Sequence, residues 1–172
     1  MGGVLSIATT NPLPWGVFGV AYTQQLVAVG GTAPYTWALV DGSLPYDLYL
    51  SADGVLSGTP WGLGTATFSV SVTDSTGLVV TNAFSLPVYD ALFFYSDSNL
   101  GAVAVDHECH YWLWAGGGAS ESYTWTLVSG CLPDGLNLGE DGCISGTPTG
   151  LGTWVFTARV TDAVGASVTQ AF

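Results

Sequence analysis

Charged side chains are scarce in this chain: Asp, Glu, Lys and Arg make up 8% of its 172 residues, against about 25% in an ordinary soluble domain. Lysine is absent, Arg159 is the single arginine, and 13 acidic residues bring the net charge to −12. Without a basic face the chain cannot neutralise phosphates, which excludes nucleic acid as a partner and disfavours anionic membrane surfaces. Long apolar runs are missing too. No stretch reaches the roughly 18–20 continuous apolar residues of a membrane span, so no membrane insertion is expected. The opening MGGVLSIATT lacks the basic start and long apolar centre of a secretion signal, so the chain is not expected to direct its own export. No segment carries the 3.6-residue periodicity of an amphipathic helix. Cysteine is limited to three residues, Cys109, Cys131 and Cys143, an odd number that leaves at least one unpaired.

What the chain has is apolar and aromatic material, 48% and 13% of residues, enough for a packed core and incompatible with disorder. Its mean hydropathy is positive, and in the absence of a membrane segment this points to surface covered by other chains. Self-similarity organises the whole sequence. YTW, LP, DG, SGTP and GLGT occur between residues 35 and 65 and again between 123 and 153, always 88 residues apart. Over Tyr35–Phe84, 29 of 50 positions are identical to their partners at that offset. Upstream the similarity decays, although Asn11 still meets Asn99, which places the start of the second copy near residue 90.

Within each copy the pattern is that of strands. Ala66, Phe68, Val70 and Val72 alternate with Thr67, Ser69, Ser71 and Thr73, the period-2 signature of a half-buried strand; Trp154, Phe156, Ala158 and Val160 repeat it. Val80, Phe84, Leu86 and Val88 line one face of a closing strand. Turn residues at Gly30-Gly31, Asp53-Gly54, Gly62-Leu63-Gly64 and Ser75-Thr76-Gly77 separate the runs. About seven short strands in some 85 residues is the arithmetic of an immunoglobulin-like sandwich. The expectation is therefore an all-β chain of two tandem sandwich domains, residues 1–89 and 90–172, with the last strand of the second cut short at Phe172.

The string GGTAPYTWALVDGSLPYDLYLSADGVLSGTPWGLGTATFSVSVTDSTG resembles the immunoglobulin-like domain family of bacterial surface proteins and phage structural proteins, related to the cadherin-like dystroglycan type. The motifs YTW, GxLPxxLxL, GxxSGTPxxxGT and VTDxxG carry the resemblance once per copy. It implies the sandwich fold, an extracellular or virion setting, and no catalytic residues. Three positions depart from the pattern. Asp47 replaces the glycine that Gly135 keeps, His107-Glu108-Cys109-His110 replaces Gly19–Tyr22, and the closing strand of the second copy ends at Phe172.

Several side chains are candidates for more than folding. Cys131 and Cys143 flank the hairpin LPDGLNLGEDG and are candidates for a local disulfide; Cys109 reads as a small buried hydrophobe. His107, Glu108, Cys109 and His110 are of metal-ligating type, but on a strand only His107 and Cys109 share a face, and His110, standing at the position of Tyr22, reads as a core-edge substitution. Calcium needs six to eight oxygens at one point. Asp53 and Asp141 in matching turns, and Asp74 and Asp162 at matching strand ends, are better explained as turn residues, which leaves Asp90, Asp97 and Asp106 as the remaining route to an ion. Ser57 and Ser145 in SGTP have no histidine at matching spacing, so no enzyme is expected. Trp37 and Trp125 take the place of the core tryptophan of immunoglobulin sandwiches. Trp15 and Trp61, each following a proline in a loop, are candidate interface or ligand contacts, and Phe172 marks a sheet edge that a neighbouring chain could extend.

These features predict a non-enzymatic structural or adhesive protein of a virion or cell surface. Its leading form is a phage virion component, a capsid decoration or tail-associated subunit that assembles with other protein subunits through apolar surface. The alternatives are a fragment of a bacterial surface adhesin with tandem spacer domains, and a carbohydrate-binding module that takes a host-surface glycan. No cofactor is required beyond the calcium considered above.

Overall fold

The computed structural model describes residues 3–119 and 122–172. They divide into two compact units, Met1–Asp90 and Ala91–Phe172, and among the described residues there is no helix. In the first unit the strands are β1 (Ser6–Ile7), β2 (Gly16–Val17), β3 (Tyr22–Gln25), β4 (Ala28–Val29), β5 (Thr36–Gly42), β6 (Leu48–Leu50), β7 (Val55–Gly58), β8 (Gly64–Thr73) and β9 (Val79–Phe94), whose last four residues belong to the second unit. The second unit adds β10 (Cys109–Trp112), β11 (Ala115–Gly118), β12 (Thr124–Gly130), β13 (Leu136–Leu138), β14 (Cys143–Gly146), β15 (Phe156–Thr161) and β16 (Ser167–Ala171).

Each unit has two facing layers. In the first, β8 lies between β5 and β9, and β2 adds to β9 in parallel. The other layer is β3-β7-β6. The alternation read from β8 decides which side chains enter the space between: Phe68, Val70 and Val72 are buried there with Trp37, Phe84 and Leu86, against Leu48 and Leu56 of the other layer. In the second unit β12-β15-β16 faces β10-β14-β13, and Trp125, Phe156, Ala158 and Val160 pack on Leu113, Leu136 and Ile144. The all-β immunoglobulin-like architecture expected from the sequence is the one observed.

The strand registers correct the repeat upstream of Tyr35. Tyr22 pairs with Gly58, and its counterpart opposite Gly146 is Cys109, not His110. The offset there is 87 rather than 88. Thr32 and Ala119 both donate their N–H to the aspartate that ends the neighbouring strand, Asp74 or Asp162. Three residues separate Ala119 from Tyr123, whereas two separate Thr32 from Tyr35, and this single extra residue shifts everything before it. Leu13 thus corresponds to Leu100, Leu26 to Leu113 and Gly19 to Asp106, and the match of Asn11 to Asn99 is out of frame by one. Gly19 and Asp106 share a left-handed backbone, φ 71° and 61°, and accept the same task of donating to Pro60 or Pro148. His110, at the position of Thr23, is exposed rather than at the core edge. Asp47 takes the left-handed conformation of Gly135, φ 67° against 93°, so aspartate, which tolerates that region better than most residues, preserves the turn.

Asp74 and Asp162 each hold a corner together. Oδ2 of Asp74 accepts from Thr32 N at 2.9 Å while Oδ1 accepts from Thr76 N at 2.9 Å, Thr76 Oγ1 at 2.7 Å and Leu78 N at 3.0 Å. Asp162 repeats this with the N–H groups of Ala119, Val164 and Ala166. The Thr76 hydroxyl foremost, with the backbone donors, holds the Asp74 carboxyl down at about 2 from an ordinary 3.8, against the opposing effect of burial. A carboxyl whose folded value lies below its unfolded one stabilises fully above pH 3.8 and loses that contribution as the pH falls through about 2. Asp74→Asn is therefore expected to flatten the acid-induced loss of stability across that window. Urea unfolding at stepped pH measures it, and an unchanged slope would remove Asp74 from the account.

Candidate functional site

The loop tryptophans of the first unit stand where two connections meet. Gly19 N donates to Pro60 O at 2.9 Å, and Trp61 N to Tyr46 O at 3.3 Å, which ties the β2–β3 loop, the β5–β6 loop and the β7–β8 loop to one another. The Trp61 ring rests edge-on against Phe18, centroids 5.5 Å apart, with half its surface (51%) exposed. Tyr46 and Leu63 are exposed beside it in sequence and hydrogen bonding. Trp15, at the entrance to β2, is also exposed. In the second unit the positions of Trp61 and Tyr46 are Thr149 and Asp134, so this aromatic end belongs to the first unit alone.

The second unit has exposed aromatic side chains of its own. Phe93, Tyr95, Trp112 and Trp114 are all exposed. Tyr95 N donates to Trp114 O at 2.8 Å, and Phe93 meets Tyr95 edge-on at 4.6 Å. A cleft of about 590 Å³ opens here, lined by Tyr95, Trp114, Gly116, Tyr123 and Trp125. Gly116 forms its floor, since a Cβ there would run into the Tyr95 ring. At the corrected offset these four aromatics replace Ser6, Ala8, Gln25 and Val27. That substitution pattern was the available signal, and the 88-residue frame hid it.

Trp37 and Trp125 are core residues, 5% and 3% exposed. Phe172 is half-buried; it stacks on Phe156 with centroids 5.2 Å apart and lies edge-on to Phe94 at 5.7 Å. It also lines the mouth of a second groove of about 520 Å³, between residues 98–103 and 152–155. Trp154, half-buried, lies over Gly152 just before β15, where a Cβ would come within 3.2 Å of its ring.

All three cysteines are free. Cys143 is buried in β14 opposite Trp112, its Sγ 4.0 Å from His110 Nδ1, while Cys131 is exposed just past β12, its N–H directed to Val155 O. Cys131 and Cys143, considered from the sequence as a disulfide, are not bridged in this structure. The four residues of metal-ligating type do not converge either. His107 Nδ1 lies 2.9 Å from Val105 O, His110 Nε2 lies 3.2 Å from Glu108 Oε1, and Cys109 packs on the core. Among the described residues no group of three or more His, Cys, Asp or Glu is placed to hold a metal. The carboxylates of Asp74 and Asp162 are directed at N–H donors.

Two β-sandwiches with a buried tryptophan on matching strands, each cornered by an aspartate, define a tandem immunoglobulin-like protein. The chain belongs to the family described as "Putative Ig domain", whose model matches residues 5–89 and 113–172. Among solved structures it is similar to extracellular domains 3–5 of Drosophila OTK, at 14% identity over 97% of this chain and 59% of that one, with a TM-score of 0.61. Immunoglobulin domains 1–5 of Sidekick-1 match at 13% identity over 99% of this chain and 38% of that one, TM-score 0.56. The I-band fragment I67–I69 of titin matches at 14% identity over 97% and 63%, TM-score 0.53. The chain thus spans 38–63% of the length of these structures, and at such identity the likeness is one of fold. No curated protein sequence matches it.

Proposed function

We propose that this chain is a non-enzymatic structural or adhesive protein that works by contact with other proteins, as a capsid-decoration or tail-associated component of a phage virion. The observation that carries the contact reading is the aromatic end of the first unit. Phe18, Tyr46 and Trp61 are large apolar side chains exposed together on a protein with almost no charge, the composition of an interface centre. The family membership supports a modular, non-catalytic role, and the likeness to extracellular domains of OTK and immunoglobulin domains of Sidekick-1 is compatible with it. The virion setting rests on the family resemblance and the low charge. Purified particles of the source phage are expected to contain the chain, and Trp61→Ala is expected to weaken its attachment by about 2 kcal/mol or more. Recovery in the bacterial cell-surface fraction and not on particles would replace the virion reading with that of an adhesin segment.

A second reading has its own observation. Phe93, Tyr95 and Trp114 at the 590 Å³ cleft form an aromatic platform of the kind that stacks on sugar rings, which favours a host-surface glycan as an additional ligand of the second unit. A glycan array probed with the chain and with Trp114→Ala decides it: silence from both removes the sugar.

A further inference from the structure

Four positions at the cleft of the second unit changed together between the two copies. In the 87-residue frame Ser6, Ala8 and Val27 of the first unit become Phe93, Tyr95 and Trp114, while Val29 becomes Gly116. Bulk moves in opposite directions: three rings appear, and the position that two of them rest against loses its side chain. A Cβ at Gly116 would run into the Tyr95 ring and stand 3.1 Å from that of Phe93, so these rings as placed and a valine cannot share the space. The first unit keeps the valine. The second has instead a cleft of about 590 Å³, within the about 300–1,000 Å³ of small-molecule sites.

The lining decides what fits there. Tyr95 and Trp114 are exposed and offer ring faces, whose negative quadrupole attracts polarised C–H groups. The Tyr123 hydroxyl is fixed by donation to Gly117 O at 2.8 Å. Gly116, Gly117 and Gly118 line the cleft without side chains, so a ligand can come close to main-chain N–H and C=O groups. Among the described residues of the lining none is charged. Arg159, the single arginine, lies on β15 opposite Thr126 and outside the lining. An anion would therefore give up its hydration with no cation to replace it, in a chain of net charge −12. A cation would meet ring faces with no carboxylate beside them, and where water reaches the rings that attraction is weak.

We infer that this cleft binds the uncharged hexose units of a glycan, with a pyranose ring against Trp114 and Tyr95 and its hydroxyls on the glycine backbone, and that it discriminates against uronic and sialic acids. The inference rests on the reading of the second unit as glycan-binding and narrows it to a class of sugar and a place on the molecule.

The probe is a glycan array that holds neutral hexose oligosaccharides beside the same oligosaccharides carrying a uronic or sialic acid. Signals are expected on the neutral members, with a drop of about tenfold or more where an acid replaces or caps the terminal hexose. The strongest neutral member is then titrated into the chain and followed by tryptophan fluorescence. Gly116→Val and Trp114→Val each install the residue with which the first unit folds at the matching position. Each is expected to weaken binding about tenfold or more, with circular dichroism unchanged; if Gly116→Val alters the circular dichroism, Trp114→Val decides alone. Acidic members bound as strongly as neutral ones overturn the inference and leave the glycan reading standing. Neutral-sugar binding that the valine variants leave unchanged does the same, since the sugar then sits elsewhere. Choline bound more tightly than any array member overturns it in favour of a cation. Silence across the whole array removes the inference and the glycan reading together.

Discussion

Replacing Trp37 by alanine is expected to lower the unfolding free energy of the first unit by about 3–5 kcal/mol. The ring is 5% exposed and sits on β5, whose backbone at that point is tied to the β6–β7 turn by Trp37 N to Ala52 O at 2.9 Å. The same turn presses Gly54 against the indole: a Cβ at Gly54 would lie 2.6 Å from Nε1, and the residue has φ 81°. The second unit repeats this with Trp125 N to Glu140 O and Gly142, whose Cβ would lie 2.8 Å from the Trp125 Nε1. The tryptophan and the Asp-Gly of the turn are thus one packing device. Gly54→Ala should destabilise through two effects, the collision with the ring and about 1–2 kcal/mol for the left-handed backbone. In a Trp37→Ala background only the backbone part should remain. Urea unfolding of the two single variants and the double variant checks this as a cycle. Strict additivity would mean that Gly54 does not support the ring.

The core was legible because its signals are local. Period-2 alternation in Thr65–Asp74 identified the side chains that enter the core, and the paired YTW motifs identified Trp37 and Trp125, since both depend only on neighbours along the chain. The turn role of Asp74 and Asp162 was legible for the same reason. What the sequence concealed is relational. One extra residue before Tyr123 shifts the upstream frame to 87, and this hid the exchange of Ser6, Ala8, Gln25 and Val27 for Phe93, Tyr95, Trp112 and Trp114. It also assigned His110 the place of Cys109. The disulfide between Cys131 and Cys143 looked plausible because a hairpin brings its ends together. In the structure both are free, with the Cys143 Sγ 4.0 Å from His110 Nδ1, and the direction of a side chain is not readable from spacing. Phe172, read as marking a sheet edge, follows the edge strand β16 and also stacks on Phe156 against the core.

Leu86→Ala is expected to cost the first unit about 2–5 kcal/mol. Leu86 is 0% exposed, in the middle of the segment held between β8 and β2, so its removal leaves a cavity that the two flanking strands cannot close without breaking their register. An exposed control on another strand, Tyr49→Ala, should fall within about 0.5 kcal/mol of the parent. In the second unit Phe94, Phe156 and Phe172 pack ring against ring, and Trp154 stands in place of Ala66. Urea unfolding of the two variants against the parent measures both losses. A Leu86→Ala loss below about 1 kcal/mol would show that this strand position is not an anchor.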